Sequence, residues 1–106
     1  MRRVLLRAAA RQDLADHYVY LSEQAGTTVA ERFLTNAEAS FQNLAERPDM
    51  ATPLRPRSPE LAGMRKWRVK GFERFLIFYQ TYPDAVSIAR VLHTAQDWWR
   101  LLETET

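Results

Sequence analysis

The sequence contains no cysteine, two histidines and three glycines among its 106 residues. Without cysteine, the chain can form neither a disulfide framework nor a thiolate metal site. Two histidines without a spaced set of carboxylates do not indicate a histidine metal centre either. We therefore expect a protein without metal or cofactor that works in a reducing compartment, the cytoplasm.

Long apolar runs are also absent. The N-terminal stretch MRRVLLRAAA is interrupted by arginine and continues into an amphipathic pattern, so it lacks the apolar core of a signal peptide. No stretch approaches the roughly 20 apolar residues of a membrane-spanning helix. Because 46% of the residues are hydrophobic, there is enough apolar mass for one core. We expect a single domain over residues 1–106 and no membrane association.

Positive charge is concentrated in one part of the chain. The formal net charge is only +2, yet residues 55–74 hold a large basic surplus. Most of these side chains are arginine, whose planar guanidinium suits phosphates, carboxylates and aromatic faces. The surplus predicts an anionic partner, either a nucleic acid or an acidic protein. Its members are Arg55, Arg57, Arg65, Lys66, Arg68, Lys70 and Arg74.

Residues 9–47 have the pattern of a helical hairpin. Gly26 is a typical helix end, and the capping-box spacing between Thr28 and Glu31 predicts the start of a second helix, which Pro48 ends. The connection between the helices is too short for anything but antiparallel neighbours. The apolar positions are Leu14, Tyr18 and Leu21 in the first helix, and Ala30, Phe33, Ala37, Phe41 and Leu44 in the second.

The N-terminal end of this hairpin is less well defined. Residues 3–7 form a short apolar run that reads equally as a strand or as a helix start. Asp13 and Asp16 lie in the early turns, where the helix dipole favours acidic side chains. His17 is expected to be an exposed polar residue.

The second half of the chain has the pattern of strands. The proline-rich residues 48–63 predict a surface loop that cannot hold a central strand. Strands are predicted over 64–69, 74–81 and 86–92, and the middle one is apolar enough to be covered on both faces. Helical spacing returns over 95–102, with Thr94 as its cap.

Strict alternation along the last strand assigns its side chains to two faces. Arg90 then lies with Val86, Ile88 and Leu92, and His93 lies with Ser87, Ala89 and Val91. Arg90 and His93 are expected at the rim of the sheet, where His93 bonds a backbone carbonyl and caps local structure. The whole order predicts an α+β fold, in which an N-terminal strand and a helical hairpin pack on an antiparallel three-strand meander, followed by a short C-terminal helix.

The segments MRKWRV at 64–69, RFLIFY at 74–79 and VSIARVLH at 86–93 resemble the core of the ParE/RelE toxins of bacterial type II toxin–antitoxin modules. Asp13-Leu14, Tyr18 and Phe33 are also similar to that family. The resemblance implies a small sheet flanked by helices and a cognate ParD-like antitoxin, whose C-terminal segment wraps and neutralises the toxin.

The resemblance allows two targets. ParE-like members inhibit DNA gyrase by protein binding, whereas RelE-like members cut messenger RNA on the ribosome. RelE-type nucleases usually place a catalytic tyrosine or a histidine–tyrosine pair near the chain end. Here Trp98-Trp99 and the acidic tail Glu103-Thr104-Glu105-Thr106 occupy that region. The sequence is therefore closer to ParE, with a metal-free messenger RNA endonuclease as the alternative.

The arginines of the meander fit either target. For a nuclease, Arg65, Arg68, Arg74 and Arg90 would surround the scissile phosphate, and His93 would accept the 2'-hydroxyl proton. We favour the other interpretation, an antitoxin-binding surface that pairs with carboxylates, because the set is rich in charge but poor in proton-transfer groups. The candidate partner-binding residues are Arg65, Arg68, Arg74, Trp98 and Trp99.

The two tryptophans are adjacent, and neighbouring helical positions point about 100° apart. We therefore expect one ring in the core and the other partly exposed. The exposed ring would either anchor a protein partner or close the end of the core.

Overall fold

The computed structural model describes residues 2–55 and 59–105; Pro56, Arg57 and Thr106, which entered the sequence predictions, lie outside these ranges. The elements are β1 (Arg3–Leu6), α1 (Ala8–Ala25), α2 (Thr27–Glu46), β2 (Thr52–Pro53), a 3₁₀ turn (Pro59–Leu61), β3 (Arg65–Val69), β4 (Phe72–Tyr82), β5 (Ala85–His93) and α3 (Trp98–Glu105). No helix within the described ranges is long and apolar enough to cross a membrane.

The strands form one sheet in the order β1-β5-β4-β3-β2. The predicted meander is present as β3, β4 and β5, which pair antiparallel. The ambiguous run before α1 is an edge strand parallel to β5, and the Arg3 N–H donates to the Asp84 carbonyl at 2.9 Å. The predicted α+β fold with its N-terminal strand is confirmed, and β2 is an additional strand at the opposite edge of the sheet.

The helical hairpin covers one face of the sheet, here called the helix face. The 3.6-residue period of α2 directs its large apolar side chains towards β4 and β5. Burial of this apolar surface is the main stabilising contribution to the domain. The central members of the cluster are Phe33, Phe41, Leu44, Phe75, Ile77, Tyr79, Val86, Ile88 and Val91.

The opposite face, here called the α3 face, carries a smaller apolar cluster. Leu102 of α3 and Leu61 of the 3₁₀ turn are fully buried there against the sheet. β4 and β5 are thus covered on both faces, as the continuous apolar run of β4 predicted. The other buried members are Met64, Phe78, Ala89 and Leu92.

The strict alternation predicted along β5 fails after Ile88. Tyr79 pairs with Ile88 and Phe78 pairs with Arg90, so Ala89 has no partner on β4. An extra residue of this kind is a β-bulge, and it shifts the faces of the residues that follow. Val91 therefore joins the helix face, while Ala89 and Leu92 lie on the α3 face.

The ends of two helices also differ from the predictions. Gly26 ends α1 with φ 95°, as expected, but the same residue caps α2, which begins at Thr27 without a side-chain cap. The capping box predicted at Thr28 is therefore wrong. Thr94 does not cap α3 either, because its N–H donates to the Arg74 carbonyl at 2.8 Å and prolongs the β4–β5 ladder. α3 begins only at Trp98.

The predicted surface loop is tied to the sheet at two points. Thr52–Pro53 forms a two-residue edge strand against β3, a position that tolerates proline because an edge needs no further N–H donor. The Tyr79 hydroxyl donates to the Pro48 carbonyl at 2.6 Å. The loop thus closes over the end of the helix face.

The first prediction concerns the central strand. Ile77 has 0% exposure, so Ile77→Asp places a carboxylate without a partner in the core. We expect the loss to exceed roughly 4 kcal/mol and to unfold the domain, measured by circular dichroism. The matched control Leu5→Asp, at a strand position with 44% exposure, is expected to stay folded. A folded Ile77→Asp variant would contradict the assignment of the core.

The second prediction concerns alkaline pH. Burial raises the pKa of Tyr79 from 10.0 to about 12, and Arg65 opposes this in part. The unfolded chain loses this proton first, so the contribution of the neutral phenol is complete below pH 10 and is lost as the pH rises towards 12. The thermal midpoint should fall across this window. Tyr79→Phe should reduce that fall, whereas the exposed-site control Tyr20→Phe should leave it unchanged.

Candidate functional site

Two side chains that the sequence placed apart form a buried ion pair. Arg90 donates from Nε to Asp13 Oδ2 and from Nη2 to Asp13 Oδ1, each at 2.7 Å. Asp13 is 7% exposed and Arg90 is 8% exposed. The predicted rim position of Arg90 is therefore wrong. Asp13 is one of the buried residues of α1, and its carboxylate pairs with Arg90 of β5.

α1 also takes the place of a strand beside β5. β1 ends at Leu6, so the edge of β5 is uncovered beyond Ile88. There the Val91 N–H donates to Asp13 Oδ2 at 3.0 Å, and His17 Nε2 donates to the Val91 carbonyl at 2.7 Å. His17 is buried, contrary to the prediction, because this backbone carbonyl needs a donor. Asp13 and His17 therefore satisfy the two backbone groups of Val91.

The pairing leaves Arg90 poorly placed for a phosphate. Its Nε and Nη2 atoms are bonded to one carboxylate, and Nη1 lies 3.5 Å from the Leu101 carbonyl. Removing the guanidinium from this carboxylate would leave a buried charge without a partner, which costs several kcal/mol. The geometry of Arg90 fits a structural role that joins α1, β5 and α3.

His93 is engaged in the turn that leads to α3. Its Nδ1 accepts the Ala95 N–H at 3.0 Å, and its own backbone N–H donates to Gln96 Oε1 at 2.7 Å. Burial lowers the pKa of His93, and the neighbouring His17 and Arg74 lower it further. His93 thus caps local structure as expected, but it accepts a backbone N–H instead of bonding a carbonyl. A neutral ring with Nδ1 accepting carries its proton on Nε2.

Three basic side chains project from β3 and β4 and are here called the basic patch: Lys66, Arg68 and Arg74. The Arg68 guanidinium lies over Trp67, whose ring packs against the helix-face cluster. Lys66 and Arg68 pair across the ladder with Phe78 and Leu76 of the α3 face, and Arg74 follows the same alternation along β4. None of the three forms an ion pair with the residues that the structure describes. Their charge is therefore uncompensated within the described molecule.

Arg65 does not join the basic patch. It pairs across the ladder with Tyr79, which faces the helices, and its Nη1 donates to the Ala51 carbonyl at 2.8 Å. The structure therefore separates Arg65 from Arg68 and Arg74, although the sequence grouped them.

Aromatic rings hold the basic patch and extend it. The Arg68 guanidinium lies 4.5 Å from the Trp67 ring centroid, and Lys66 Nζ lies 5.2 Å from that of Trp98. Such cation–π contacts restrain long side chains while their N–H groups face outwards. The patch therefore presents donors that are partly preorganised.

The two tryptophans are not divided between core and surface. Both are half-buried, and their ring centroids lie 4.8 Å apart with an interplanar angle of 30°. Trp98 also packs on Phe78 at 5.3 Å. Because α3 begins at Trp98, both rings lie in its first turn, over the margin of the small apolar cluster. The prediction of one core ring and one exposed ring is wrong.

Metal ligation has no support in the side-chain geometry. Within residues 2–55 and 59–105, no three histidine, aspartate or glutamate side chains converge as an ion site.

The pairing of Asp13 with Arg90 was not predicted, yet the sequence carries a signal for it. Ala10, Asp13 and His17 are the buried positions of α1, and they follow helical spacing. A buried carboxylate needs a cationic partner, and Arg90 was the cation within a buried strand. The bulge at Ala89 could not be read from the pattern.

The fold is shared with a known class of toxin. A solved chain described as "Chromosomal ParDE TA system from P. aeruginosa" matches with a TM-score of 0.71 at 15% identity, covering 88% of this chain and 96% of that chain. No curated protein matches the sequence. The molecule therefore has the RelE/ParE-like toxin fold.

The family follows from the sequence itself. A family model described as "ParE toxin of type II toxin-antitoxin system, parDE" matches residues 4–98. The chain belongs to the ParE toxin family, and the predicted resemblance is confirmed. It is thus a toxin of the type II toxin–antitoxin class.

The third prediction tests the buried pair. Asp13→Ala removes the carboxylate that binds the buried Arg90 guanidinium and accepts the Val91 N–H, so we expect a loss of about 3–5 kcal/mol in the free energy of unfolding. The exposed neighbour Asp16 supplies the control, and Asp16→Ala should change stability by less than about 0.5 kcal/mol. Replacing both partners, as Asp13→Leu with Arg90→Met, should cost less than the sum of the single changes. Equal stability of Asp13→Ala and the wild type would contradict the role of the pair.

Proposed function

We propose that this ParE-family toxin inhibits DNA gyrase by protein binding and is neutralised by a ParD-like antitoxin in the cytoplasm. The observation that carries the proposal is the burial of Arg90 against Asp13, with two hydrogen bonds of 2.7 Å. It removes one of the cations that phosphodiester cleavage would need. A toxin that binds its target without catalysing a reaction is also what membership of the ParE family favours.

The same geometry weakens the endonuclease alternative at its proton acceptor. His93 Nδ1 already accepts the Ala95 N–H, so His93 can take a proton there only if the turn before α3 opens. Its Nε2 carries a proton in the neutral ring and is a donor. Arg68 and Arg74 remain available, but they supply charge without proton transfer.

The antitoxin contact is assigned to the basic patch and the tryptophans beside it. Lys66, Arg68 and Arg74 carry charge that no ion pair compensates within the described residues, which favours a partner segment rich in carboxylates. The half-buried Trp98 and Trp99 rings add amphipathic contact area of the kind that dominates protein interfaces. Arg65, bonded to the Ala51 carbonyl, lies outside this surface.

The target is tested with two parallel assays. Purified protein is added to a gyrase supercoiling reaction and to a translating extract whose messenger RNA is mapped for breaks. We expect loss of supercoiling or trapped cleaved DNA, with intact message, and the same result for His93→Gln. Cut message with normal gyrase would establish the endonuclease. Normal supercoiling together with intact message would indicate an interaction module without toxicity.

The antitoxin contact is tested by charge reversal. The product of the neighbouring reading frame is purified, and its affinity is measured for the wild type and for Arg68→Glu with Arg74→Glu. We expect at least a roughly tenfold loss, because two attractive charges become repulsive. Arg32→Glu, at an exposed position of α2, serves as the control and should bind normally. Unchanged affinity of the double variant would remove the basic patch from the interface.

A further inference from the structure

One segment of this basic protein contains no lysine or arginine. Between Arg11 and Arg32 the charged residues are Asp13, Asp16, Glu23 and Glu31. The one basic side chain in this segment is the imidazole of His17. Arg90 neutralises Asp13, and the other three carboxylates are exposed. None of those three forms an ion pair within residues 2–55 and 59–105. α1 therefore presents an acidic surface on a molecule whose net charge is positive.

Two exposed apolar side chains lie within this acidic surface. Val19 and Tyr20 are each 57% exposed, more than any other large hydrophobic residue that the structure describes. Asp16 and Glu23 flank them at helical spacing, since positions 16, 19, 20 and 23 follow one face of α1. These four residues are here called the α1 stripe. An apolar centre with a charged rim is the usual anatomy of a protein interface.

A cleft of about 400 Å³ adjoins the α1 stripe. It opens between α1 and the turn that follows β5, and its inner side includes the buried ring of Phe75. Asp16 and Tyr20 belong to both the stripe and the cleft, so an apolar side chain could enter the cleft while its neighbours contact the stripe. The other lining residues include His17, His93 and Gln96.

We propose that the α1 stripe and its cleft form a second docking surface, which binds a basic amphipathic helix of a partner protein. Exposed Val19 and Tyr20 would bury the apolar face of that helix, and Phe75 would receive one of its side chains in the cleft. Asp16 and Glu23 would pair with its lysines or arginines, which fixes the charge of the partner by complementarity. The proposal stands whether or not gyrase is the target.

The α1 stripe and the basic patch select different partners. The α1 stripe belongs to α1, which covers the helix face and the edge of β5, whereas the basic patch projects from β3 and β4. Their charges are opposite in sign, so an acidic antitoxin segment that suits Lys66 and Arg68 is repelled by Asp16 and Glu23. The two surfaces therefore attract partners of opposite charge.

The test uses the full-length protein and three labelled peptides. The first is an amphipathic helical peptide of lysine and leucine, the second replaces lysine by glutamate, and the third is a scramble of the first. Affinity is measured by fluorescence anisotropy at about 0.1 M and 1 M salt, since salt screens the rim charges. Amide chemical shifts then locate the bound peptide on the protein.

We expect the first peptide to bind best, with shifts concentrated on residues 16–23 and around Phe75. Asp16→Asn with Glu23→Gln should weaken binding roughly fivefold, and Val19→Ser with Tyr20→Ser roughly tenfold. The charge-matched control is Glu38→Gln with Glu46→Gln, which removes two exposed carboxylates from α2 and should leave affinity unchanged. Unchanged circular dichroism verifies that each variant is folded.

Three results would overturn the proposal. The first is equal affinity for the scrambled peptide, which would mean attraction by charge alone. The second is a set of shifts confined to the basic patch, Lys66, Arg68 and Arg74, with none on residues 16–23. The third is a dimer in sedimentation that dissociates in Val19→Ser with Tyr20→Ser, which would make a second copy of this chain the occupant.

Discussion

The bidentate pair between Asp13 and Arg90 is the interaction on which the rest of the structure depends. β1 is too short to protect the whole edge of β5, and the exposed part would leave the backbone groups of Val91 without partners. Asp13 and His17 satisfy those groups from α1, and Arg90 compensates the carboxylate. One helix thereby acts both as a cover for the core and as the missing strand. Such a pair is valuable less for its net energy than for fixing how α1 sits against the sheet.

Much of the fold was predictable because it rests on local periodicity. The helical hairpin follows from apolar spacing in α2 and from Gly26, which adopts φ 95° at the junction. The strands of the meander follow from apolar and β-branched composition. The features that failed depend on contacts far apart in sequence. The bulge at Ala89 and the burial of His17 both arise where β5 meets an edge that the sequence does not reveal.

The candidate site was predictable only in composition. Arg68 and Arg74 were chosen as charges for an anionic partner, and that role stays a proposal, but the linear sequence could not separate them from Arg65 and Arg90. Strand alternation separates Arg65 from Arg68 and Arg74. The one-residue bulge shifts the faces of β5, and Asp13, 77 residues away in sequence, binds Arg90. The tryptophan pair was misjudged because the start of α3 lies three residues later than the periodicity indicated. The result is a toxin with a basic surface and an acidic surface on different elements.

We expect Asp13 to hold Arg90 in solution as it does in the structure, and the Nε–H resonance of Arg90 tests this most directly. The spectrum is recorded on nitrogen-labelled protein at neutral pH, with Arg68 and Arg74 as internal references. We predict a sharp Arg90 signal that is protected from water exchange and does not shift when a single-stranded oligonucleotide is added. Fast exchange like that of Arg68, together with a shift of the Arg90 signal on adding the oligonucleotide, would contradict the buried pair. Arg90 would then be available to bind RNA, as the nuclease alternative requires.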